Sequence, residues 1–246
     1  MGLNINGLYI QVDHSHNRLL NTGKEGNPVI QKIPHGKSSL TVYSTFQRLK
    51  APASTKKHKK IGDNCPLLYA LKGKNELKTT LRDIRLLLLH FDSILNDMTN
   101  KTQKYDAIIV MPSSHAISKI YAARLARKYQ CVLLDNIFQK ITVTDAQNLL
   151  KQTGLSSSDK RSISSKLKKQ AANGQSNFSL KDIPTKFRSH FPPLTMSTGQ
   201  IISNYQKILL ADDLLATGTT LLTGKNLILE CIPDASIDAS CLFSAI

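Results

Sequence analysis

Several residue types are scarce or absent in this chain of 246 residues. Tryptophan is missing and aromatic residues make up 6% of the sequence, which argues against a platform that stacks single-stranded nucleic acid. The cysteines Cys65, Cys131, Cys231 and Cys241 form no CxxC pair, so we interpret them as small apolar residues in a reducing compartment. The longest apolar cluster, Leu86–Leu89, is far too short to span a bilayer.

Acidic residues are also in short supply. The 17 Asp and Glu residues stand against 33 Lys and Arg residues, which gives a formal net charge of +16. Such a charge favours an anionic partner: nucleic acid, an acidic protein or a phosphorylated substrate. The start of the sequence, Met1–Asn6, has neither the basic residues nor the apolar core of a signal peptide. We therefore expect a soluble cytoplasmic protein that makes no membrane contact.

One stretch, Lys207–Leu221, combines an apolar run, two acids and a loop of small residues. Ile208–Ala211 predicts a buried parallel strand, and Asp212 and Asp213 follow it directly. The small and hydroxyl residues 216–220 then lead into a predicted helix at Leu221–Glu230. In parallel α/β sheets, ligands bind where the carboxyl ends of strands meet the amino ends of helices, so this stretch is the candidate site.

The residue types of this stretch suit a phosphorylated sugar. A loop of small residues can bring several backbone N–H groups onto a phosphate, assisted by the positive end of the helix. Two adjacent carboxylates are expensive to bury unpaired, but they suit the vicinal hydroxyls of a sugar or a hydrated Mg²⁺. The alternative is an ordinary strand-to-helix turn in which the acids cap the helix, a task for which one carboxylate suffices.

The stretch Ile208–Thr220 resembles the phosphoribosyl-pyrophosphate (PRPP) motif of type I phosphoribosyltransferases: four apolar residues, two acidic, two apolar, then small-Thr-Gly-x-Thr. The resemblance implies an α/β fold with a Rossmann-like parallel sheet flanked by helices. It also implies that Asp212 and Asp213 are catalytic residues on the ribose hydroxyls, with Asp213 reaching Mg²⁺ through water. The 5-phosphate of PRPP would be held by Ala216, Thr217, Gly218, Thr219 and Thr220.

Two further stretches are similar to the ComF-type branch of that family. Ala70–Gly73 (Ala-Leu-Lys-Gly) resembles the segment before a helix in that branch. Gln152–Ser164 resembles its pattern Gln-x-x-Leu, five residues, Arg-x-x-Asn, with serine in place of the asparagine. In that fold the region is a mobile lid over PRPP, and Arg161 is the candidate cation on the pyrophosphate. The lid insertion covers about residues 145–198; a solvated surface helix with a disordered loop is the alternative.

A second candidate strand, Tyr105–Pro112, leads through Ser113 and Ser114 into an amphipathic helix at Ala116–Tyr129. Cys131–Leu134 predicts the next parallel strand, which completes a βαβ unit. In the resembled fold this strand end carries the pyrophosphate loop, so the resemblance implies that the two serines hold the pyrophosphate. ComF-type sequences show Val-Pro-Val-Pro and an arginine-rich loop here, where this chain has Met-Pro-Ser-Ser-His.

Residues 1–60 predict a β-rich N-terminal appendage that ends in a basic linker. Strand-like runs include Pro28–Ile33 and Ser39–Ser44, separated by turn residues. Lys50–Lys60 lacks the apolar residues needed to fold, and is either a solvated loop or a contact for a nucleic-acid backbone. Residues 61–246 are then the phosphoribosyltransferase-like domain, which begins with a long predicted helix within Leu77–Met98.

Two hypotheses of function follow. In the first, the chain binds PRPP or a related phosphoribosyl nucleotide with Mg²⁺ and transfers or cleaves the phosphoribosyl group at the anomeric carbon. In the second, the same fold is a non-catalytic or conditionally active module in a nucleic-acid and protein assembly, such as a retron antiphage defence complex. The charge of +16, the lysine clusters and the altered pyrophosphate loop favour the second hypothesis.

Overall fold

Residues 2–36, 38–50, 65–174, 176–199 and 202–246 are described by the computed structural model of the chain. The expected basic linker lies outside the described residues from position 51 to position 60. The strands are β1 (Gly2–Asn6), β2 (Tyr9–Asp13), β3 (Leu20–Asn21), β4 (Val29–His35), β5 (Ser38–Arg48), β6 (Ala107–Val110), β7 (Val132–Leu134), β8 (Phe138–Lys140), β9 (Leu194–Met196), β10 (Lys207–Leu214) and β11 (Ser236–Phe243). The helices are α1 (Pro66–Leu71), α2 (Leu81–Leu88), α3 (Phe91–Lys101), α4 (Ile117–Tyr129), α5 (Val143–Gln152), α6 (Ser157–Ala172) and α7 (Thr219–Cys231).

A seven-stranded sheet forms the centre of the described residues. Its parallel strands lie in the order β7-β6-β10-β11-β5, and β3 and β4 both pair antiparallel with β5. The chain is therefore a mixed α/β protein with a mostly parallel central sheet flanked by helices, which confirms the predicted fold class at this level. The arrangement is compatible with a Rossmann-like fold.

Alternate residues of the central strands supply two cores, one on each face of the sheet. On β10, Leu209 and Ala211 join the core that includes residues of α3 and α4. Ile208 and Leu210 join the core that includes residues of α7. All four side chains are fully buried, and burial of each larger aliphatic side chain contributes about 1.5–3 kcal/mol. The central strand is thus fixed in register from both sides.

The N-terminal strands belong partly to the central sheet. The predicted β-rich region is present, and β1 and β2 form a separate two-stranded sheet. β5, however, runs parallel to β11, with Val42 opposite Ala239 and Phe46 opposite Phe243. Because Val42 and Phe46 are fully buried, the strands from position 29 to position 48 are a structural part of the main sheet and not an addition to its surface.

The long helix predicted within Leu77–Met98 is wrong as a single element. Two helices, α2 and α3, replace it, with a turn at Leu89 and His90. α2 begins with a capping box in which Thr80 and Asp83 satisfy each other's backbone N–H groups. Both helices bury residues in the same core, so the apolar spacing continues across the turn and conceals it. None of the described helices, this pair included, has the length and apolar character needed to cross a membrane.

The insertion between β8 and β9 is folded around a core of its own. β8 and β9 form an antiparallel pair, and α5, α6 and two short 3-10 helices at Leu180–Asp182 and Thr185–His190 lie between them in sequence. The buried side chains of this third core are Ile141, Val143, Ala146, Leu150, Ile163, Leu167, Phe178, Ile183, Phe187 and Phe191. The region predicted as a lid is therefore a compact helical unit.

Candidate functional site

The acid pair and the serine loop lie side by side at the edge of the sheet where its parallel strands end. β6 and β10 are direct neighbours, with Val110 opposite Ala211. From β6 the chain moves outward to β7, and it later returns to β10 and β11 on the other side of β6. This reversal of strand order leaves a crevice between the two carboxyl ends, the usual place for a ligand in such sheets.

β10 is longer than predicted and carries the acid pair within its regular part. The strand continues through Asp212 and Asp213 to Leu214. Because side chains alternate along a strand, Asp213 continues the row of Leu209 and Ala211 toward the core that contains α4. The consequence is deep burial, and Asp213 retains 4% of its exposure.

Asp213 is paired with a lysine that follows α1. The Nζ of Lys72 lies 2.6 Å from Oδ2 of Asp213. The Oγ of Ser118, on α4, donates to the same Oδ2 at 3.0 Å and lies 3.4 Å from Oδ1 of Asp212. A buried carboxylate with a cation and a hydroxyl partner is well compensated, and loss of either charge would leave the other unpaired in the interior, at a cost of about 3–5 kcal/mol.

Asp212 is less buried and is held mainly by the backbone. Its Oδ1 accepts a hydrogen bond from the N–H of Asp213 at 2.7 Å. Burial, followed by the neighbouring charge of Asp213, raises the pKa of Asp212 to about 7, although Lys72 and Lys140 act in the opposite direction. A carboxyl group with this pKa can accept or donate a proton near neutral pH, which is the property of a general acid or base.

The loop after β10 forms a small cup at the start of α7. Gly218 adopts φ = +75°, and a methyl group added there would overlap Cδ1 of Ile33 from β4. The backbone N–H groups of residues 216–221 donate no hydrogen bond to any other described residue. A cavity of about 50 Å³ lies against the loop, lined by Asp212 and residues 214–221. These N–H groups and the positive end of α7 are available to an anion.

The loop is anchored on its far side by Arg48. Its Nη2 donates to the carbonyl oxygen of Leu215 at 3.0 Å, and its Nε donates to the carbonyl oxygen of Ser244. The N–H of Leu215 donates in turn to the carbonyl oxygen of Phe243 at 2.9 Å. The strands β5 and β11 thereby fix the position at which the chain leaves β10.

The predicted serine loop lines a second and larger cavity. A space of about 350 Å³ is bordered by residues 110–116, among them Ser113 and Ser114, and by residues of α4 and β8. The Oγ of Ser113 accepts a hydrogen bond from the N–H of His115 at 3.3 Å. Ser118 lines this cavity and contacts the acid pair, so the structure brings the serine loop and the acids together.

The charges of several lysines act on the groups near the acid pair. Burial lowers the pKa of His115, and so do the charges of Lys74 and Lys72. The pKa of Lys74 is lowered by burial first and then by Lys181, Lys72 and Lys140. These lysine charges therefore repel one another. An anionic ligand would relieve that repulsion.

Arg161 is not placed at this site. It lies exposed on α6, and no hydrogen bond or ion pair within the described residues joins it to the acids or to the serine loop. The insertion instead approaches the site through Lys181, whose Nζ lies 3.3 Å from the hydroxyl of Tyr69 on α1 and 5.4 Å from the centre of its ring. Among the charges that lower the pKa of Lys74, that of Lys181 has the largest effect.

Sequence reasoning missed the two partners of Asp213. Lys72 belongs to the Ala-Leu-Lys-Gly stretch, which carried only a family resemblance and no assigned role. Ser118 is fully buried on the same helix face as Tyr121 and Leu125. A serine at the helical spacing of buried apolar residues was a usable signal, because a buried hydroxyl requires a partner.

Oδ2 of Asp213 does not fit direct coordination of Mg²⁺, whereas the predicted contact runs through water. Mg²⁺ binds oxygen ligands at about 2.0–2.1 Å in a nearly octahedral arrangement and usually keeps several waters. Oδ2 of Asp213 is already bound by Lys72 and Ser118. Among the described residues, moreover, no group of three or more His, Cys, Asp or Glu side chains is arranged to hold a metal ion.

In its chemistry, the site offers N–H groups that are unpaired within the described residues for a phosphate, a half-buried carboxyl group of raised pKa for a hydroxyl, and the positive charges of nearby lysines. The larger cavity beside it can hold a further part of a ligand.

Comparison of the chain with protein-family models and with curated proteins found no match.

Proposed function

We propose that this site binds the phosphoribosyl part of PRPP or a related nucleotide, and that the chain transfers or cleaves that group at the anomeric carbon. One observation carries the proposal: a buried Asp213, a half-buried Asp212 and a cup of N–H groups around Gly218, unpaired within the described residues, lie together at the reversal of strand order. A helix cap would explain one carboxylate near the loop, but neither acid accepts a hydrogen bond from the first turn of α7.

The proposed roles follow from the positions of the groups. The N–H groups of residues 216–221 would hold the 5-phosphate, with the hydroxyls of Thr217 and Thr219 beside them. Asp212 would bind a ribose hydroxyl, and the serine loop with the nearby cations would hold the leaving group. Cleavage at an anomeric carbon passes through an oxocarbenium-like state, so its rate depends on fixed position and charge. Mg²⁺ stays a prediction, and no step here uses it.

A groove on the outer side of the loop has room for an acceptor. It has a volume of about 640 Å³, which is in the range of small-molecule sites. Thr217 and Thr219 line it from the loop, and Arg188 and Glu230 line it from the insertion and α7. The groove and the cup thus share Thr217 and Thr219 as one wall.

Calorimetric titration with PRPP and with ribose 5-phosphate tests the proposal. The wild type should bind both, and Asp212→Asn should weaken both about tenfold, because a hydrogen bond to a charged group is worth about 1.5–3 kcal/mol. Asp234→Asn is the matched control, since Asp234 is exposed and lies after α7. Equal heats from the wild type and Asp212→Asn would count against the proposal.

The second hypothesis, a nucleic-acid and protein assembly, is supported by the exposed face of α6. Arg161, Lys168 and Lys169 are exposed there, and none of them forms an ion pair within the described residues. Reversing Lys168 and Lys169 to Glu should lower the salt concentration at which the chain leaves heparin, whereas Lys24→Glu, at a surface pair with Asp97, should change it little. Identical elution of all three proteins would exclude this face as a polyanion site.

A further inference from the structure

We propose that Lys72, and not a divalent cation, neutralises the acid pair, so that this site takes a phosphoribosyl ester in its metal-free form. The ligand class in this statement rests on the proposed function. The exclusion of metal rests only on the contacts of Lys72, Asp213 and Ser118. The two parts can therefore fail separately.

Oδ2 of Asp213 already has two close partners. The Nζ of Lys72 lies 2.6 Å from this oxygen, and the two side chains retain 14% and 6% of their exposure. Ser118 occupies another direction at 3.0 Å. A magnesium ion bound directly to the same oxygen, at about 2.0–2.1 Å, would have to compete with the ammonium group and the hydroxyl for it.

The charges around the acid pair also disfavour a dication. Lys72 already supplies one positive charge in direct contact with Asp213, and Lys140 also acts on Asp212. A dication added beside them would be repelled by each, and repulsion between charges a few ångströms apart is strong where water is excluded. The pair of carboxylates is therefore matched to the cations of the chain itself.

The backbone of Lys72 is held in place at the end of α1. Its backbone N–H donates to the carbonyl oxygen of Leu68 at 3.0 Å, in the last turn of α1. Only a rotation of the side chain could open the pair, and that would leave Asp213 buried without its cation. A ligand that keeps the ion pair intact is favoured over a metal that must break it.

The contacts of the acid pair and the N–H groups of the loop define the ligand class. A phosphate monoester of ribose brings hydroxyls, which can bind Asp212, and a dianionic phosphate, which suits the N–H groups of residues 216–221. Neither group needs a metal bridge to the carboxylates. Ribose 5-phosphate and nucleoside 5′-monophosphates fit this description.

Titration with Mn²⁺ alone, followed by electron paramagnetic resonance, tests the metal part on the full chain. We expect the wild type to show no Mn²⁺ site that depends on Asp213. Lys72→Met should gain such a site and bind Mn²⁺ about tenfold or more tightly than any residual binding of the wild type. The double variant Lys72→Met with Asp213→Asn should lose this site again. Lys24→Met, which breaks a Lys–Asp pair on the surface, should leave Mn²⁺ binding unchanged.

Lys72→Arg keeps the charge and should exclude Mn²⁺ as the wild type does. If Lys72→Met fails to fold, the wild type, Lys72→Arg and Asp213→Asn still show whether Asp213 binds Mn²⁺ while a cation occupies position 72. A Mn²⁺ site in the wild type that Asp213→Asn removes would overturn the proposal. Absence of such a site in both the wild type and Lys72→Arg supports it.

Calorimetry with ribose 5-phosphate, in EDTA and in Mg²⁺, tests the ligand part. The wild type should give the same dissociation constant within about twofold in both buffers, whereas Lys72→Met should bind more tightly in Mg²⁺. Binding by the wild type only in Mg²⁺ would overturn the proposal. If no variant binds ribose 5-phosphate while the Mn²⁺ results are as expected, the proposed function fails and the exclusion of metal by Lys72 stands.

Discussion

Gly218 occupies a position from which a side chain is excluded for two separate reasons. Its φ of +75° is costly for other residues, at about 1–2 kcal/mol, and an added methyl group would overlap Ile33. Gly218→Ala should therefore open the cup and weaken ribose 5-phosphate about tenfold, because the N–H groups no longer converge. Calorimetry measures the affinity, and urea unfolding measures the accompanying loss of stability.

Two companion variants separate these reasons. Gly154→Ala is a neutral comparison, because no atom lies within contact of a methyl group there and its φ is ordinary for any residue. Ile33→Ala combined with Gly218→Ala removes the overlap but keeps the backbone strain. Full recovery of affinity in that double variant would show that crowding by Ile33, and not the φ angle, sets the shape of the loop.

The raised pKa of Asp212 has a consequence for stability. The pKa rises from 3.8 to about 7 in the native state, through burial first and Asp213 second. The unfolded chain therefore loses its proton at lower pH than the native chain, and the free energy of unfolding falls as pH rises from about 4 to about 7. Asp212→Asn removes this contribution, so the variant should gain stability relative to the wild type across that interval. Urea unfolding of both proteins at about pH 5 and about pH 8 measures this gain. If the difference in the free energy of unfolding between them is the same at both pH values, the raised pKa of Asp212 is contradicted.

At the scale of elements, the insertion should respond to mutation as a unit. Phe191 is fully buried in the third core, with its ring 6.0 Å from that of Phe178. Phe191→Ala should cost about 3–5 kcal/mol of local stability, through lost burial and the cavity left behind. Hydrogen exchange should accelerate in α5 and α6 and change little in β6 and β10. Tyr9→Ala, at a side chain that is 48% exposed, is the comparison; uniform acceleration across the sheet would show that the insertion is not a separate unit.

The elements also show what sequence reasoning can and cannot supply. The apolar runs that became β6 and β10 and the helix that became α4 were predictable, because their periodicity is strong and local. The turn between α2 and α3 could not be predicted, since both helices bury apolar residues in the same core and their spacing continues across the turn. Lys72 could not be predicted as a partner of Asp213 either, because 141 positions separate them in the sequence and only folding brings the end of α1 to β10.

For the whole molecule, the pairing of β5 with β11 makes the N-terminal fifth of the chain indispensable. Leu40, Val42 and Phe46 are fully buried in the sheet. Deletion of residues 2–50 should therefore abolish cooperative unfolding, whereas deletion of residues 2–13, which removes the separate two-stranded sheet, should lower stability and keep one transition. Thermal unfolding followed by circular dichroism distinguishes the two. A folded remainder after the larger deletion would show that the first strands are a separable appendage.

The sequence predicted an appendage at residues 1–60 and a main domain at 61–246, and local patterns could not show that β5 joins the main sheet. Strand-like runs at Pro28–Ile33 and Ser39–Ser44 were visible, but nothing local states which sheet a strand joins. The partner of β5 lies almost at the other end of the printed sequence, and non-local pairing is set by the packing of the whole fold. The acid pair and its loop, by contrast, were adjacent in sequence and could be identified together.

The hydrogen bond from the N–H of Arg48 to the Oγ of Ser244 joins residues 196 positions apart. During translation, β5 is synthesised long before its parallel neighbour β11. Until β11 is made, one edge of β5 has no strand to pair with. Pairings so distant along the chain also form slowly. The nascent polypeptide is therefore most vulnerable to misassociation during translation, and a chaperone that shields the edge of β5 should raise the yield of correctly assembled molecules.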